Sequence, residues 1–174
     1  MPKALMLIGP NFEDSELMYP YYRLQEAGYE VDLVGPEADA KYTGKNGVSF
    51  TSDKAAKKTK VNDYDMIVIP GGQQPDKLRT NKDVVQLVKD AFDKGLLAAV
   101  ICHGPQLLIE ADVVRGRRMT SWPSVRTDLK NAGATVVDEE VVVDGNLVTS
   151  RKPSDLPAWM RETLRVAEKR VVTA

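Results

Sequence analysis

The sequence predicts an α/β fold, with a mainly parallel central sheet flanked by helices in three layers. Short apolar runs of strand length alternate along the chain with longer stretches of helical spacing. Several of the apolar runs end abruptly at glycine or at polar turn residues, as buried parallel strands do. In sheets of this kind the chemistry collects beyond the carboxyl ends of the strands, so a site is expected at that edge.

The strands are predicted in a regular order along the chain. Four apolar runs fit buried parallel strands: residues 3–8, 29–34, 65–70 and 96–101. Residues 35–47 are rich in turn formers, with short extended pieces expected around Tyr42 and over 48–50. Three valine-rich pieces follow near the C-terminus, at 135–137, 141–143 and 147–149, with a hairpin turn at Asp144, Gly145 and Asn146.

Helices are predicted between these strands, at residues 13–27, 82–94, 103–111, 124–132 and 156–169. The first has helical spacing of Leu17, Tyr21 and Leu24, and Gly28 follows it as a stop signal. The second ends before Gly95. Such alternation of strands and helices is typical of a parallel sheet covered on both faces.

Composition places the chain among ordinary globular proteins. It has 174 residues, 43% hydrophobic and 28% charged, and we expect one domain over 1–174. A net charge of −1 gives no indication of a nucleic-acid partner, and the apolar runs are too short for a membrane span. No signal-like segment opens the sequence and a single cysteine suits a reducing compartment, so we expect a cytoplasmic protein. The lysines over 54–60 and the arginines at 115, 117 and 118 are expected to be solvated.

The most informative feature is the pair formed by the single cysteine, Cys102, and the single histidine, His103. The apolar run stops at the thiol, which predicts a tight strand-to-helix turn with the sulfur near free backbone N–H groups. That environment favours a thiolate and lowers the thiol pKa. The alternative is a small buried hydrophobe. With one cysteine and one histidine, no tight zinc site is expected.

Gly71 and Gly72 follow the third strand and are expected to face the cysteine. Their backbone N–H groups could form part of an oxyanion hole, with the N–H of His103 as a further donor. The alternative is a turn that needs positive φ. No G-x-G-x-x-G follows the first strand, so the site is not predicted to bind a dinucleotide.

Acidic residues open the first helix, and one of them is expected to point at the thiol. Carboxylates there normally complement the helix dipole. A buried carboxylic acid beside the sulfur would have a raised pKa and could donate a proton, and the sequence leaves Glu13 and Glu16 open for this role. Trp122 is predicted either as a wall of the pocket or as a core aromatic. Because no second histidine exists, glutaminase chemistry is not expected.

Several blocks in order along the chain resemble the PfpI-type intracellular protease and protein deglycase family, within the class I glutamine-amidotransferase-like superfamily. The most specific are Ile-Cys-His-Gly-Pro-Gln at 101–106, and Val-Val-Val-Asp-Gly-Asn at 141–146 with Thr-Ser-Arg at 149–151. Matching segments also lie at 12–17, 28–31, 43–47, 69–72, 131–133 and 155–156.

The resemblance implies a flavodoxin-like sandwich that assembles into dimers or hexamers. It maps the nucleophile onto Cys102, its base onto His103, the carboxyl that contacts the thiol onto Glu16, and a second acid of the pocket onto Glu13. In protease-type members a glutamate from a neighbouring subunit completes a triad. The matching position here is Asp76, one methylene shorter. Trp122 stands where close relatives often carry tyrosine.

Three functions follow from this resemblance, and all use the same sulfur. The favoured one is a cofactor-free hydrolase of glyoxal-type substrates, deglycase or glyoxalase-like, in which Cys102 adds to the aldehyde-derived carbon. The runner-up is an intracellular cysteine peptidase that forms an acyl-enzyme on the same residue. The third is a stress or redox protein in which Cys102 is oxidised to sulfinic acid.

Overall fold

A computed structural model describes residues 1–173 of the chain, with side-chain burial described to residue 170. Ala174, the last residue of the expected domain, lies outside the described residues. The strands are β1 (Lys3–Leu7), β2 (Glu30–Gly35), β3 (Lys41–Thr43), β4 (Ser49–Thr51), β5 (Lys54–Ala55), β6 (Met66–Ile69), β7 (Leu97–Ile101), β8 (Arg118–Met119), β9 (Thr135–Val136), β10 (Val142–Asp144) and β11 (Leu147–Ser150). The helices are α1 (Asp14–Glu26), α2 (Gln74–Leu78), α3 (Lys82–Lys94), α4 (Pro105–Glu110), α5 (Arg126–Asn131) and α6 (Leu156–Thr173).

The central sheet has seven strands in the order β10-β11-β7-β6-β1-β2-β5. Every neighbouring pair is parallel except β10 and β11, which form an antiparallel hairpin at one edge. The turn of that hairpin uses Gly145 at φ +58°, as the Asp-Gly-Asn signal predicts. Strands β3 and β4 form a separate antiparallel hairpin. The predicted mainly parallel sheet is therefore confirmed.

Alternate residues of each central strand enter two different hydrophobic cores. In β1, Leu5 and Leu7 pack on one face with helices α3, α4 and α5, whereas Ala4 and Met6 pack on the other with α1 and α6. These side chains are fully buried, and each large one contributes about 1.5–3 kcal/mol to folding. Burial on both faces explains why the strands are continuous apolar runs. The result is the flavodoxin-like three-layer sandwich.

Of the basic residues expected to be solvated, Lys54 and Arg117 are half-buried and have defined partners, whereas the others are exposed as expected: Lys57, Lys58, Lys60, Arg115 and Arg118. Lys54 opens the short strand β5 and its Nζ lies 3.1 Å from both Asp32 Oδ2 and Tyr64 Oη. Arg117 donates to the Asp144 carboxylate at 3.0 Å and to Asn146 Oδ1 at 2.9 Å, which ties β8 to the β10–β11 hairpin. The expectation was wrong for Lys54 and Arg117 because their partners are distant along the chain and come close only through the fold.

Helix α2 was not predicted from the sequence, and α4 is shorter than the predicted 103–111 because it begins at Pro105. Proline suits that first turn, since its missing N–H is not needed there. Along residues 1–173, no helix has both the length and the apolar character that crossing a bilayer requires.

Candidate active site

Cys102 lies directly after β7 in a left-handed backbone conformation, at φ +62°. Such a conformation is uncommon for a residue with a Cβ atom and marks a sharp turn. Two backbone hydrogen bonds fix it: the Cys102 N–H donates to the Ser150 carbonyl at 3.1 Å, and the Cys102 carbonyl accepts from Trp122 N–H at 2.9 Å. The sulfur thus sits on the strand-to-helix elbow that the sequence predicts.

Glycine at position 71 allows the neighbouring loop to approach this elbow closely. A Cβ atom there would lie 2.8 Å from Cys102 Cβ and 2.6 Å from Glu16 Oε1. Both distances are far inside van der Waals contact, so any larger residue would push the thiol and the carboxyl apart. The glycine is required by the site rather than by its own φ.

Glu16 is the carboxyl that faces the thiol, which resolves the choice left open between Glu13 and Glu16. Its side chain is fully buried and its Oε1 accepts the Gly71 N–H at 2.9 Å. Burial is the main reason that the pKa of Glu16 rises to about 7, opposed by the Gly71 hydrogen bond and helped by the charge of Glu13. Glu16 can therefore hold a proton close to neutral pH.

The thiol of Cys102 is not acidified, contrary to the expectation from its place at a helix N-terminus. Burial first, and then the charge and hydrogen bond of Glu16, raise the pKa of Cys102. The backbone N–H groups of His103 and Gly72 act in the opposite direction. The sequence indicated these N–H donors and a carboxyl beside the thiol, but not that burial and the carboxyl outweigh the donors. At neutral pH the thiol therefore keeps its proton while Glu16 titrates, and a thiolate forms only when a neighbouring group takes the thiol proton.

His103 is positioned to exchange a proton with the sulfur. Its Nδ1 lies 3.3 Å from Cys102 Sγ, and its ring stacks on Trp122 with centroids 5.7 Å apart and planes 25° apart. Burial lowers the pKa of His103, as does the charge of Lys45, whereas Asp76 raises it. A lowered pKa keeps the imidazole neutral at neutral pH, the form that accepts a proton.

The expected oxyanion donors are present in part. The N–H groups of Gly72 and His103 point at the sulfur. Gly71 was expected to supply a donor but does not, because its N–H already donates to Glu16. Gly72 has φ +84°, and a Cβ there would lie 2.2 Å from the Glu13 nitrogen, so no other residue fits this backbone.

These groups open into a pocket of about 670 Å³. Trp122 forms one wall of the pocket and also packs against both cores. It is therefore both a pocket residue and a core aromatic, the two alternatives that the sequence left open. The predicted residues Glu13, Glu16, Gly72, Asp76, Cys102, His103 and Trp122 all line it. Sequence reasoning missed five further lining residues: Lys45, Gln73, Lys77, Gln106 and Pro153.

Glu13 and Lys45 form an ion pair at the pocket, with Glu13 Oε2 2.7 Å from Lys45 Nζ. The signal for Lys45 was its place in the matching segment 43–47, although no chemistry in the sequence singled it out. Asp76 lies on α2 and lines the pocket of its own chain. Its expected contact with His103 of a neighbouring subunit stays a prediction. Within the described residues, no three His, Cys, Asp or Glu side chains cluster as metal ligands do.

Comparison with known proteins gives consistent matches over nearly the whole chain. The model of the DJ-1/PfpI family matches residues 2–166. A deglycase of Pyrococcus abyssi is 48% identical over 164 residues, which cover 94% of this chain and 98% of the relative. Protein/nucleic acid deglycase 2 of Escherichia coli is 45% identical over 166 residues, covering 94% of this chain and 96% of the relative.

Among solved structures, a two-domain protein of Anabaena variabilis containing DJ-1/ThiJ/PfpI-like and ferritin-like domains is similar, with a TM-score of 0.92 and 40% identity. The match covers 97% of this chain and 48% of that protein, so the chain spans about half of its length.

Proposed function

Because this chain belongs to the DJ-1/PfpI family, we propose that it is a cysteine-dependent, cofactor-free deglycase acting on glyoxal-type adducts of amines. The observation that carries the proposal is the arrangement of three groups around one pocket: the Cys102 sulfur, a neutral imidazole 3.3 Å away and a fully buried carboxyl. The names of the similar deglycases support the same reaction class.

The reaction begins when Cys102 Sγ bonds to the aldehyde-derived carbon of the adduct and the amine leaves with a proton. The product on the enzyme is a hemithioacetal, in which this carbon keeps its hydrogen and its hydroxyl group. For a methylglyoxal adduct, the proton on this carbon then moves to the neighbouring carbonyl carbon through an enediol, while the proton of its hydroxyl group moves to the neighbouring carbonyl oxygen. A thioester of lactate results, and water hydrolyses it to lactate and the free thiol.

Each proton movement has a group with a suitable pKa beside it. Neutral His103 accepts the thiol proton as the sulfur attacks. Glu16, with a pKa of about 7, takes and returns the proton during the shift between the two carbons. The N–H groups of Gly72 and His103 stabilise negative charge that develops on the substrate oxygen. The pocket is wide enough for a small adduct on an amine side chain.

The second candidate is a cysteine peptidase, and the Cys102–His103 contact favours it as well. In that reaction the sulfur attacks a peptide carbonyl and His103 protonates the leaving amine. A redox function through oxidation of Cys102 uses the same sulfur and needs neither the imidazole nor the pocket.

The proposal is tested by assaying one protein preparation on two substrates side by side. One is methylglyoxal-treated N-acetyl-lysine and the other a fluorogenic peptide. Each is also assayed with Cys102→Ala as a control for contaminating enzymes. We expect turnover of the adduct by the wild type, with a loss of at least about a hundredfold in the variant.

If the wild type turns over only the peptide, and Cys102→Ala loses this activity, the deglycase proposal is wrong and the peptidase function is supported. Equal turnover of the adduct by wild type and Cys102→Ala would remove the thiol from the mechanism.

A further inference from the structure

Lys45 is a pocket residue to which the proposed reaction gives no task. Its ammonium lies 2.7 Å from Glu13 Oε2, and 44% of its side chain is exposed. Its charge also acts on Glu16, Cys102 and His103 together. The ammonium of Lys45, on the β3–β4 hairpin, thus interacts electrostatically with each group that moves a proton in the proposed reaction.

The hairpin that carries Lys45 is held in place by Asp14. The two carboxylate oxygens of Asp14 accept the N–H groups of Asn46 and Val48, at 2.9 and 2.8 Å. Asp14 is buried, at the start of α1, two residues from Glu16. The same helix end therefore anchors both the carboxyl that faces the thiol and the loop that presents the ammonium.

The backbone on either side of the loop is fixed as well. The Lys45 N–H donates to the Phe12 carbonyl at 3.0 Å, and the Thr43 carbonyl accepts the Asn11 N–H at 3.0 Å. Gly44 packs directly on Asp14, where a Cβ atom would lie 2.5 Å from Oδ1. These contacts leave the loop little freedom, so the position of the Lys45 charge is a property of the fold.

The charged groups around the thiol come from four elements. Glu13 and Glu16 belong to α1 and its start, Lys45 to the β3–β4 hairpin, and His103 to the elbow. Asp76 and Lys77 belong to α2. Of the two carboxyls at the start of α1, Glu16 opposes the formation of a thiolate, and Glu13 is paired with Lys45.

We propose that Lys45 is a positioning residue whose charge, held by the Asp14-anchored hairpin, sets the pH range in which Cys102 becomes nucleophilic. It acts through Cys102 and Glu16 by offsetting their shared negative charge, and it touches no bond that the reaction makes or breaks. This inference rests on the proposed function only in taking Cys102 as the nucleophile.

The test is the pH dependence of alkylation of Cys102 by iodoacetamide, a neutral reagent. Cys102 is the single cysteine of the chain, so intact mass reports this residue alone. The variants are Lys45→Gln, which removes the charge, Lys45→Arg, which keeps it, and Lys41→Gln as a matched control. Lys41 lies on the same hairpin, outside the lining of the pocket.

We expect Lys45→Gln to move the midpoint of the alkylation profile upward by about 0.5–1 pH unit. Below the midpoint this shift corresponds to an alkylation rate about three- to tenfold lower than that of the wild type. Lys45→Arg should stay close to wild type and Lys41→Gln should coincide with it. Lys45 is more exposed than its partner Glu13, at 44% against 13% of the side chain, so about 1 M salt should screen the ammonium more and shift the wild-type profile upward relative to that of Lys45→Gln.

Superimposable profiles for wild type and Lys45→Gln, with no differential effect of salt, would overturn the inference. Asp14→Asn gives an independent arm, because it loosens the anchor and keeps Lys45, and should produce a smaller shift in the same direction. Alkylation needs no turnover, so a protein without deglycase activity still gives a decisive result for Lys45.

Discussion

At the scale of single residues, Glu16 couples the chemistry of the site to the stability of the fold. It is fully buried, and charging it inside the protein is costly. In the unfolded chain it ionises at its ordinary value of 4.5, whereas in the fold its pKa is about 7. The folded state therefore loses stability as the pH rises from about 4.5 through 7, because the unfolded state releases its proton first.

Glu16→Gln removes this titration. We expect the variant and the wild type to have similar free energies of unfolding near pH 4. As the pH rises, the free energy of unfolding of the variant should exceed that of the wild type by a growing amount, about 3 kcal/mol at pH 8. Denaturant unfolding of both proteins at several pH values measures the difference. A difference that stays constant between pH 4 and 8 would mean that Glu16 keeps its ordinary pKa in the fold.

At the scale of elements, the loop that follows β6 is built around Gly72, because its backbone occupies a space that no side chain can share. Gly72→Ala places a Cβ 2.2 Å from the Glu13 nitrogen at φ +84°. We expect a loss of about 3 kcal/mol or more in unfolding free energy, together with loss of activity, because the loop and the start of α1 must separate.

Gly28→Ala is the matched control for Gly72→Ala. Its φ is similar, +94°, but the space around its Cβ is open. It should cost only the left-handed strain, about 1–2 kcal/mol, and leave activity intact. Equal losses in the two variants, measured by denaturant unfolding, would show that strain alone and not the close approach to α1 limits position 72.

The sequence predicted the elements well where burial and turn chemistry act locally. Helix α3 has the predicted bounds, and the apolar run feeding Cys102 and the Asp-Gly-Asn turn are found as expected. It did not predict α2 or β5, because each is short and depends on distant neighbours. Lys54, for example, becomes ordered through Asp32 and Tyr64, which the fold brings to it.

The sequence predicted part of the residues that line the candidate site, but not its electrostatics. The positions of Cys102, His103 and Glu16 follow from one elbow and one helix start, which motifs can indicate. The raised pKa of the thiol follows from burial and from the charge of Glu16, and no motif states how strongly these outweigh the backbone N–H donors. The sequence did not predict Lys45 as a pocket residue, because Lys45 reaches the pocket only through the β3–β4 hairpin that Asp14 anchors.

At the scale of the whole molecule, the question is whether a second copy completes the site. Asp76 lines the pocket of its own chain, and its charge raises the pKa of His103. The family resemblance predicts, in addition, that Asp76 of a neighbouring subunit contacts His103. Both effects would make the imidazole a stronger base.

Asp76→Asn removes that charge at almost constant volume. We expect the pKa of His103 to fall further, so that the acidic limb of the pH–rate profile moves to lower pH, while the maximal rate declines. Kinetics over a pH series and sedimentation analysis of the assembly measure the two consequences. Unchanged kinetics and an unchanged assembly would show that the transferred triad does not operate in this protein.

The product formed in the adduct assay decides whether the protein removes the adduct through the Cys102 sulfur. Proton NMR of methylglyoxal-treated N-acetyl-lysine, incubated with the wild type, should show lactate appearing in equal amount to the released amine. Cys102→Ala should form neither above background. Release of free methylglyoxal without lactate, or equal lactate from Cys102→Ala, would contradict a deglycase reaction through the Cys102 sulfur.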